Sequence, residues 1–327
     1  MYRSHSCTAD GHSINFELKA KTLWYKAMNS IQILLDGVID YAGLFPPSTL
    51  DIQTVVNNYA SYLKGDKAQM LGRLVVPVSR LRDFEDAAAA LLPRGNPVYP
   101  WKLSVIGSGD IIADLEELVD FNVFHARDEN VGAVVIDTIE LKAESVEDVY
   151  RAMYLIPRSL IAYFEIPIEK DPTTILEAIM ASKARAKVRT GGITNQAFPS
   201  AQNLAQFICR CADQRVQFKA TAGLHHPVRG NYKLTYAPDS ELSMMYGFLN
   251  ILLATAFARF DFSEADTSEI LNEKDPAAFS FDEEGVQWRR HRLTLHQLGL
   301  ARKQIVMAVG ACSFEEPMND LTAMKLI

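Results

Sequence analysis

The sequence predicts an α/β fold, a closed parallel (β/α)8 barrel with a helical C-terminal addition. Three observations carry this expectation. From Ile31 onward, apolar runs of strand length alternate with stretches of helical period, the mark of parallel α/β architecture. Seven candidate strands centre near Leu35, Val75, Leu103, Val134, Tyr163, Lys187 and Lys219, and each interval holds one strand plus the crossover helix that a parallel connection requires. No Gly-x-Gly-x-x-Gly turn follows the first strand, which places the alternative, a doubly wound open parallel sheet, behind the barrel.

The helices between these strands carry their own marks. Ser79 is placed to cap a helix running to Leu92, which Pro93 and Gly95 end. Ser145 and Asp148 make a capping-box pair, and Asp171 before Pro172 reads as an N-cap with proline at the first helical position. Leu204, Phe207, Ile208 and Cys211 recur at helical spacing, so Cys211 belongs to the core. The eighth unit is less regular. Met244 to Ala258 reads as a buried helix, Ala278 to Asp282 as the next strand after an insertion near residues 261 to 277, and Trp288 to Ala308 as helical. The expected organisation is an N-terminal extension over residues 1 to 30, a barrel core over 31 to 262, and an eighth strand with a C-terminal helical segment over 263 to 327.

Composition bounds the function. A chain of 327 residues, 48% hydrophobic and 22% charged, buries a large core. Its formal charge of -7 argues against a nucleic-acid partner, whose phosphates call for clustered cations. The basic run Arg289 to Arg292 reads as a solvated helix face. Cys7, Cys209, Cys211 and Cys312 are too few and scattered for a disulfide framework, and charges interrupt the first 27 residues where a secretory signal needs a continuous apolar core. A cytoplasmic location follows as the expectation. Met244 to Ala258 is too short to span a membrane. It is apolar around nearly its whole circumference, so it should be sandwiched between the barrel and either the C-terminal segment or a second subunit, the latter making a homo-oligomer.

Side chains along a strand alternate between faces. Alternation directs Arg73, Lys102, Asp137, Glu165, Lys187, Arg189 and Lys219 inward, five basic groups against two acidic ones in an acidic chain. Such a concave site concentrates small anions, so a phosphorylated or carboxylated carbonyl compound is the expected ligand. Lys187 and Lys219 lie on consecutive strands, which are about 4.8 Å apart. Two ammonium ions there would repel, one would titrate low, and a neutral amine is the nucleophile of Schiff-base chemistry.

Lys187-Val188-Arg189-Thr190-Gly191-Gly192, followed by Lys219-Ala220-Thr221-Ala222-Gly223, resembles the paired-lysine region of class I deoxyribose-phosphate-type aldolases. The resemblance covers under fifty residues, with Val188 and Arg189 in place of the family's Thr-Ser pair and His225-His226-Pro227 where a Gly-Gly turn is usual. It implies that Lys187 forms the Schiff base and Lys219 tunes it.

His225 and His226 follow the seventh strand, where an imidazole suits proton transfer at neutral pH. Thr190, Gly191, Thr221 and Gly223 are candidate anion-loop residues, with Lys102, Arg189, Arg229 and His226 as further substrate contacts. The leading expectation is a carbon–carbon lyase without a cofactor, using Lys187, Lys219, Asp137, Glu165 and His225. One alternative is a metal-assisted barrel enzyme using Asp137, Glu165 and a histidine, with magnesium held by the two carboxylates. The other is a barrel that binds an anion without catalysis.

Overall fold

Strands β1 (Ile39–Tyr41), β2 (Leu71–Pro77), β3 (Trp101–Ile106), β4 (Val134–Lys142), β5 (Ile161–Glu165), β6 (Arg185–Arg189) and β7 (Phe218–Thr221) pair in parallel, each with the next in the chain. The structure, a computed structural model, describes residues 29–95, 100–127 and 132–327. The expected extension over residues 1 to 30 therefore falls almost wholly outside the described residues.

The eighth barrel strand is Val306–Ala311. It joins β7 on one side and β1 on the other and closes the barrel. The predicted fold class is what the structure has, but the closing strand is not Ala278 to Asp282. That segment contains β10 (Phe279–Phe281), which pairs antiparallel with β11 (Gly285–Trp288), and β11 pairs with β12 (His291–Thr294) in a separate sheet. A hairpin, β8 (Gly230–Lys233) with β9 (Leu242–Met245), leaves the barrel after β7, which makes the closing strand β13 in chain order. The basic run Arg289 to Arg292 lies around the β11–β12 turn rather than on a helix. Arg289 pairs with Glu269 and Glu273, and Arg292 with Asp282.

The first candidate strand is also displaced. Ser30–Leu35 forms helix α1, because Asn29 and Gln32 make a reciprocal capping box, and the barrel strand begins at Ile39. Helices α2 (Ile52–Tyr62), α3 (Leu81–Ala88), α4 (Ile111–Ala126), α5 (Val146–Leu155), α6 (Thr173–Ala181) and α7 (Ala201–Gln214) are the crossovers between successive strands. Ser145 and Asp148 make the expected capping box of α5. Helix α6 begins one residue later than the Asp171 cap predicts, with the Asp171 carboxylate accepting from the backbone N–H of Thr173 at 3.0 Å.

Helix α8 (Phe248–Ala258) is buried along its whole length. It packs on α7, β13, α9 (Glu264–Asn272) and α10 (Leu295–Gln304). Its polar residue Asn250 donates to the carbonyls of Ile270 and Glu273 and accepts from the N–H of Arg229, so burial leaves its amide satisfied. The helix is enclosed by its own chain and gives no argument for a second subunit. Among the described residues no helix is long and apolar enough to cross a membrane. Helix α11 (Glu315–Ala323) follows β13 and brings Glu316 and Asp320 to the carboxyl end of the barrel.

Candidate functional site

The carboxyl ends of the barrel strands surround a cavity of about 700 Å³, where barrel architecture places chemistry. At its floor lies a chain of alternating charges. Lys219 Nζ is 2.6 Å from Asp40 Oδ2 and 2.6 Å from Glu140 Oε1. The other Glu140 oxygen is 2.9 Å from Lys187 Nζ, which also meets Glu165 Oε2 at 2.8 Å. Glu165 then accepts from Arg189 Nε at 3.3 Å at the exposed rim. Both amines are buried, yet each has two carboxylate partners, the condition under which burying a charge is tolerated.

Two of these acids escape a reading by strict alternation. Asp40 sits on β1, beyond the apolar run Ile31 to Leu35 that suggests the first strand, and its other oxygen accepts from the N–H of Arg73 at 2.8 Å. Glu140 faces inward because β4 carries a bulge: Leu103 pairs with Ile136, but Ser104 pairs with Thr138. One extra residue exchanges the faces of everything after it. Asp137, the extra residue of the bulge, and Glu140 after it thus both point into the barrel, at different heights. Ser104 holds Glu140 from the neighbouring strand, its Oγ 2.5 Å from Glu140 Oε1.

The expected excess of cations over acids is therefore absent at the floor, and with it the idea that repulsion holds one lysine neutral. Burial opposes ionisation of Glu140, but Lys219 and Lys187 outweigh it and hold the carboxyl well below its ordinary range. Burial likewise disfavours the Lys219 ammonium, and Asp40 and Glu140 overcome this, raising its pKa well above that of a free lysine. Glu165 is lowered against its burial by Lys187 and Arg189.

Asp137 is not part of this site. It lies nearer the amino end of the barrel, outside the cavity wall, in a two-point pair with Arg73 whose contacts are 2.5 and 2.8 Å. Arg73 is thereby committed as well. Asp137→Ala should lower stability by about 2 kcal/mol, since it strands a partly buried guanidinium, and should leave ligand binding at the carboxyl end unchanged. Thermal melts and ligand titration of the same sample read both outcomes.

The remaining expected contacts divide. Arg189, Thr221, Gly223 and His225 line the cavity. Lys102 does not join them: it is exposed near the amino end of β3. Thr190 is buried and donates its hydroxyl to the carbonyl of Ala222 at 2.7 Å, which ties β6 to β7 rather than facing a ligand. Gly191 lies under the Phe198 ring, leaving no space for a side chain. His226 turns away, bonded to Asp320 at 2.7 Å and stacked on Tyr232 at 3.6 Å. Arg229 covers the Tyr246 ring at 4.3 Å. Neither His226 nor Arg229 lines the cavity. Lys142 and Arg151, which the sequence did not single out, join Arg189 in the wall, with Asp148 as the nearby acid.

The wall beyond β7, two strands from Lys187 in the barrel order, holds a group missed from the sequence. Cys312, one residue past β13, lies 3.8 and 3.9 Å from the two ring nitrogens of His225. His225 Nδ1 in turn lies 3.1 Å from Glu316. Left-handed backbone at Ala222 and Gly223 turns the chain after β7 toward this corner. Recognition of β13 as a strand is the signal that places Cys312 at the carboxyl end of the barrel. The chain matches no family model and no curated protein sequence.

Among the described residues, no group of three His, Cys, Asp or Glu side chains is arranged to hold a metal ion. The carboxylates expected to hold magnesium do not come together, because Asp137 is bonded to Arg73 and Glu165 to Lys187.

Proposed function

We propose that this protein is a Schiff-base enzyme, a carbon–carbon lyase of aldolase type acting on a small carbonyl compound that carries a phosphate or carboxylate. The observation that carries the reading is the Lys187 amine, set in the cavity within hydrogen-bond distance of two carboxylates, Glu140 at 2.9 Å and Glu165 at 2.8 Å. A lysine needs a base to release its proton before it can attack a carbonyl, and these are bases within reach. Lys142, Arg151 and Arg189 in the wall favour an anionic substituent on the substrate.

In the cleavage direction, Glu165 accepts a proton from Lys187, and the amine adds to the carbonyl carbon. Loss of water gives an iminium ion. The substrate's β-hydroxyl then gives its proton to a carboxylate and the Cα–Cβ bond breaks. Its electron pair moves to the iminium nitrogen, and an aldehyde leaves. The remaining enamine takes a proton at carbon, and water hydrolyses the resulting iminium to restore Lys187. Glu140 serves as the shared counter-charge, and Lys219, fixed by Asp40, holds it in place. The tuning role implied by the resemblance thus becomes a positioning role.

Reductive trapping tests the reading. Borohydride added in the presence of a small keto or aldehyde phosphate should leave a permanent mass increment on the protein, with or without chelator. Loss of activity on chelation together with no increment would favour the metal-assisted alternative. Anion binding with neither increment nor turnover would leave the non-catalytic barrel.

A further inference from the structure

Nothing in the lysine chemistry above uses Cys312. It is nevertheless the best-connected thiol among the described residues, 5% exposed and in the cavity wall. Three neighbours address its sulfur. Ser48 Oγ, from the loop after β1, is 3.0 Å away, the His225 ring is at 3.8 Å, and Tyr236 Oη, from the β8–β9 hairpin, is at 3.8 Å. Glu316, at the start of α11, accepts from Tyr236 Oη at 2.7 Å and sits 3.1 Å from His225 Nδ1. A thiol beside an imidazole, with a carboxylate orienting that imidazole, has the arrangement of an activated nucleophile and its base.

We infer that Cys312 and His225 form a thiolate–imidazolium pair, a second nucleophilic site in this cavity that takes small, soft carbon electrophiles independently of Lys187. The charged groups facing the pair are compatible with it. Burial works against an imidazolium at His225, but hydrogen bonds to Cys312 and Glu316 outweigh it and lift its pKa to about 9. Burial would raise the Cys312 thiol, and the hydrogen bond and charge of His225, with Ser48, bring it below its ordinary value. Glu316 stays ionised below the usual carboxyl range despite its burial, through His225 and Tyr236, and His226 adds to the positive surroundings. Tyr41 and Tyr236 remain protonated, both raised by burial and by the Cys312 charge. Cys209 and Cys211 contrast with this: both are buried on α7, and burial pushes both thiols up.

Iodoacetamide is a fitting probe. The sulfur lone pair forms an S–C bond to its methylene carbon and iodide departs with the C–I pair, so no oxidant or proton donor is needed. The native protein is alkylated across pH 5 to 10 and the rate at each cysteine is read by peptide mass, which also separates Cys7. Cys312 should be modified with a midpoint at least one pH unit below the roughly 8.5 of a free thiol. At pH 6.5 this corresponds to about tenfold more of its plateau rate than free cysteine shows. His225→Gln should return the midpoint to 8.5 or above, and Glu316→Gln should move it part of the way. Cys209 and Cys211 should stay unmodified in every variant, which reports that the fold is intact. If either becomes reactive in a variant, the wild-type midpoint alone decides. A wild-type midpoint at or above 8.5 overturns the proposal, and so does a folded His225→Gln variant with an unchanged midpoint. Lys187 takes no part in this readout, so its outcome is separable from that of the lyase reading.

Discussion

Lys187→Ala is expected to abolish imine formation and to lower turnover of any carbonyl substrate by on the order of 10⁴-fold or more, as removal of a covalent nucleophile does. The loss should fall on kcat. Lys142, Arg151 and Arg189 remain in the wall to bind the anionic substituent, so affinity for inorganic phosphate should change little. Lys219→Met should behave differently. Lys219 meets Asp40 and Glu140 and does not reach Glu165. Its loss should slow imine formation by displacing Glu140 while leaving the adduct on Lys187. Single-turnover trapping rates for the two variants, with phosphate titrations alongside, separate the roles.

Glu140→Gln should produce the largest loss of stability. One fully buried carboxylate faces two ammonium groups and the Ser104 hydroxyl, and removing its charge leaves Lys187 with Glu165 and Lys219 with Asp40 as their remaining counter-charges. Breaking a buried ionic arrangement of this kind costs about 3–5 kcal/mol, a fall in Tm of roughly 4–7 °C for a chain of this size. The pH dependence follows from the directions of the shifts. Glu140 is depressed in the folded state, so its stabilisation is present above the unfolded value of about 4.3 and is lost as pH falls from there. Lys219 is raised, so its contribution is present below about 10.4 and is lost only as pH rises beyond that. The stability gap between wild type and Glu140→Gln should therefore be widest between about pH 5 and 10 and narrow at both ends. Chemical denaturation at several pH values reads it.

The barrel was legible because its repeating unit was: strands β2 to β7 each fell where an apolar run of strand length interrupted a helical stretch. The first and last strands escape such a reading, one for a local reason and one for a tertiary one. Ile31 to Leu35 is as apolar as a strand, but the Asn29–Gln32 capping box makes it a helix, and β1 contributes only three residues, one of them the buried Asp40. Val306 to Ala311 contains Met307, Ala308 and Ala311, good helix formers, and follows α10 with only Ile305 between them and no glycine or proline to mark the break. Barrel closure imposed the extended conformation there, a tertiary effect that no local window contains.

The site was half legible for related reasons. Lys187, Glu165 and Lys219 converge because β5, β6 and β7 are regular, so alternation holds across them. Glu140 was hidden by the β4 bulge, Asp40 by the displaced first strand, and Cys312 by the unrecognised closing strand. Lys102 and Asp137 do face the barrel axis side of their strands, but alternation gives a face and not a height. Both belong to the amino half, away from the cavity. The same omission reversed the charge balance. Without Asp40 and Glu140 the interior reads as cationic, and with them the two lysines are neutralised at the floor while the surplus of positive charge sits at the rim.

Whether Lys187 is the amine that meets the carbonyl carbon is tested most directly by peptide mapping of the protein after borohydride reduction with a small keto phosphate. One reduced adduct is expected, on Lys187, absent from Lys187→Ala and retained in Lys219→Met. An adduct on Lys219 instead, or an unmodified protein under conditions in which the phosphate compound demonstrably fills the cavity, would contradict this role of Lys187.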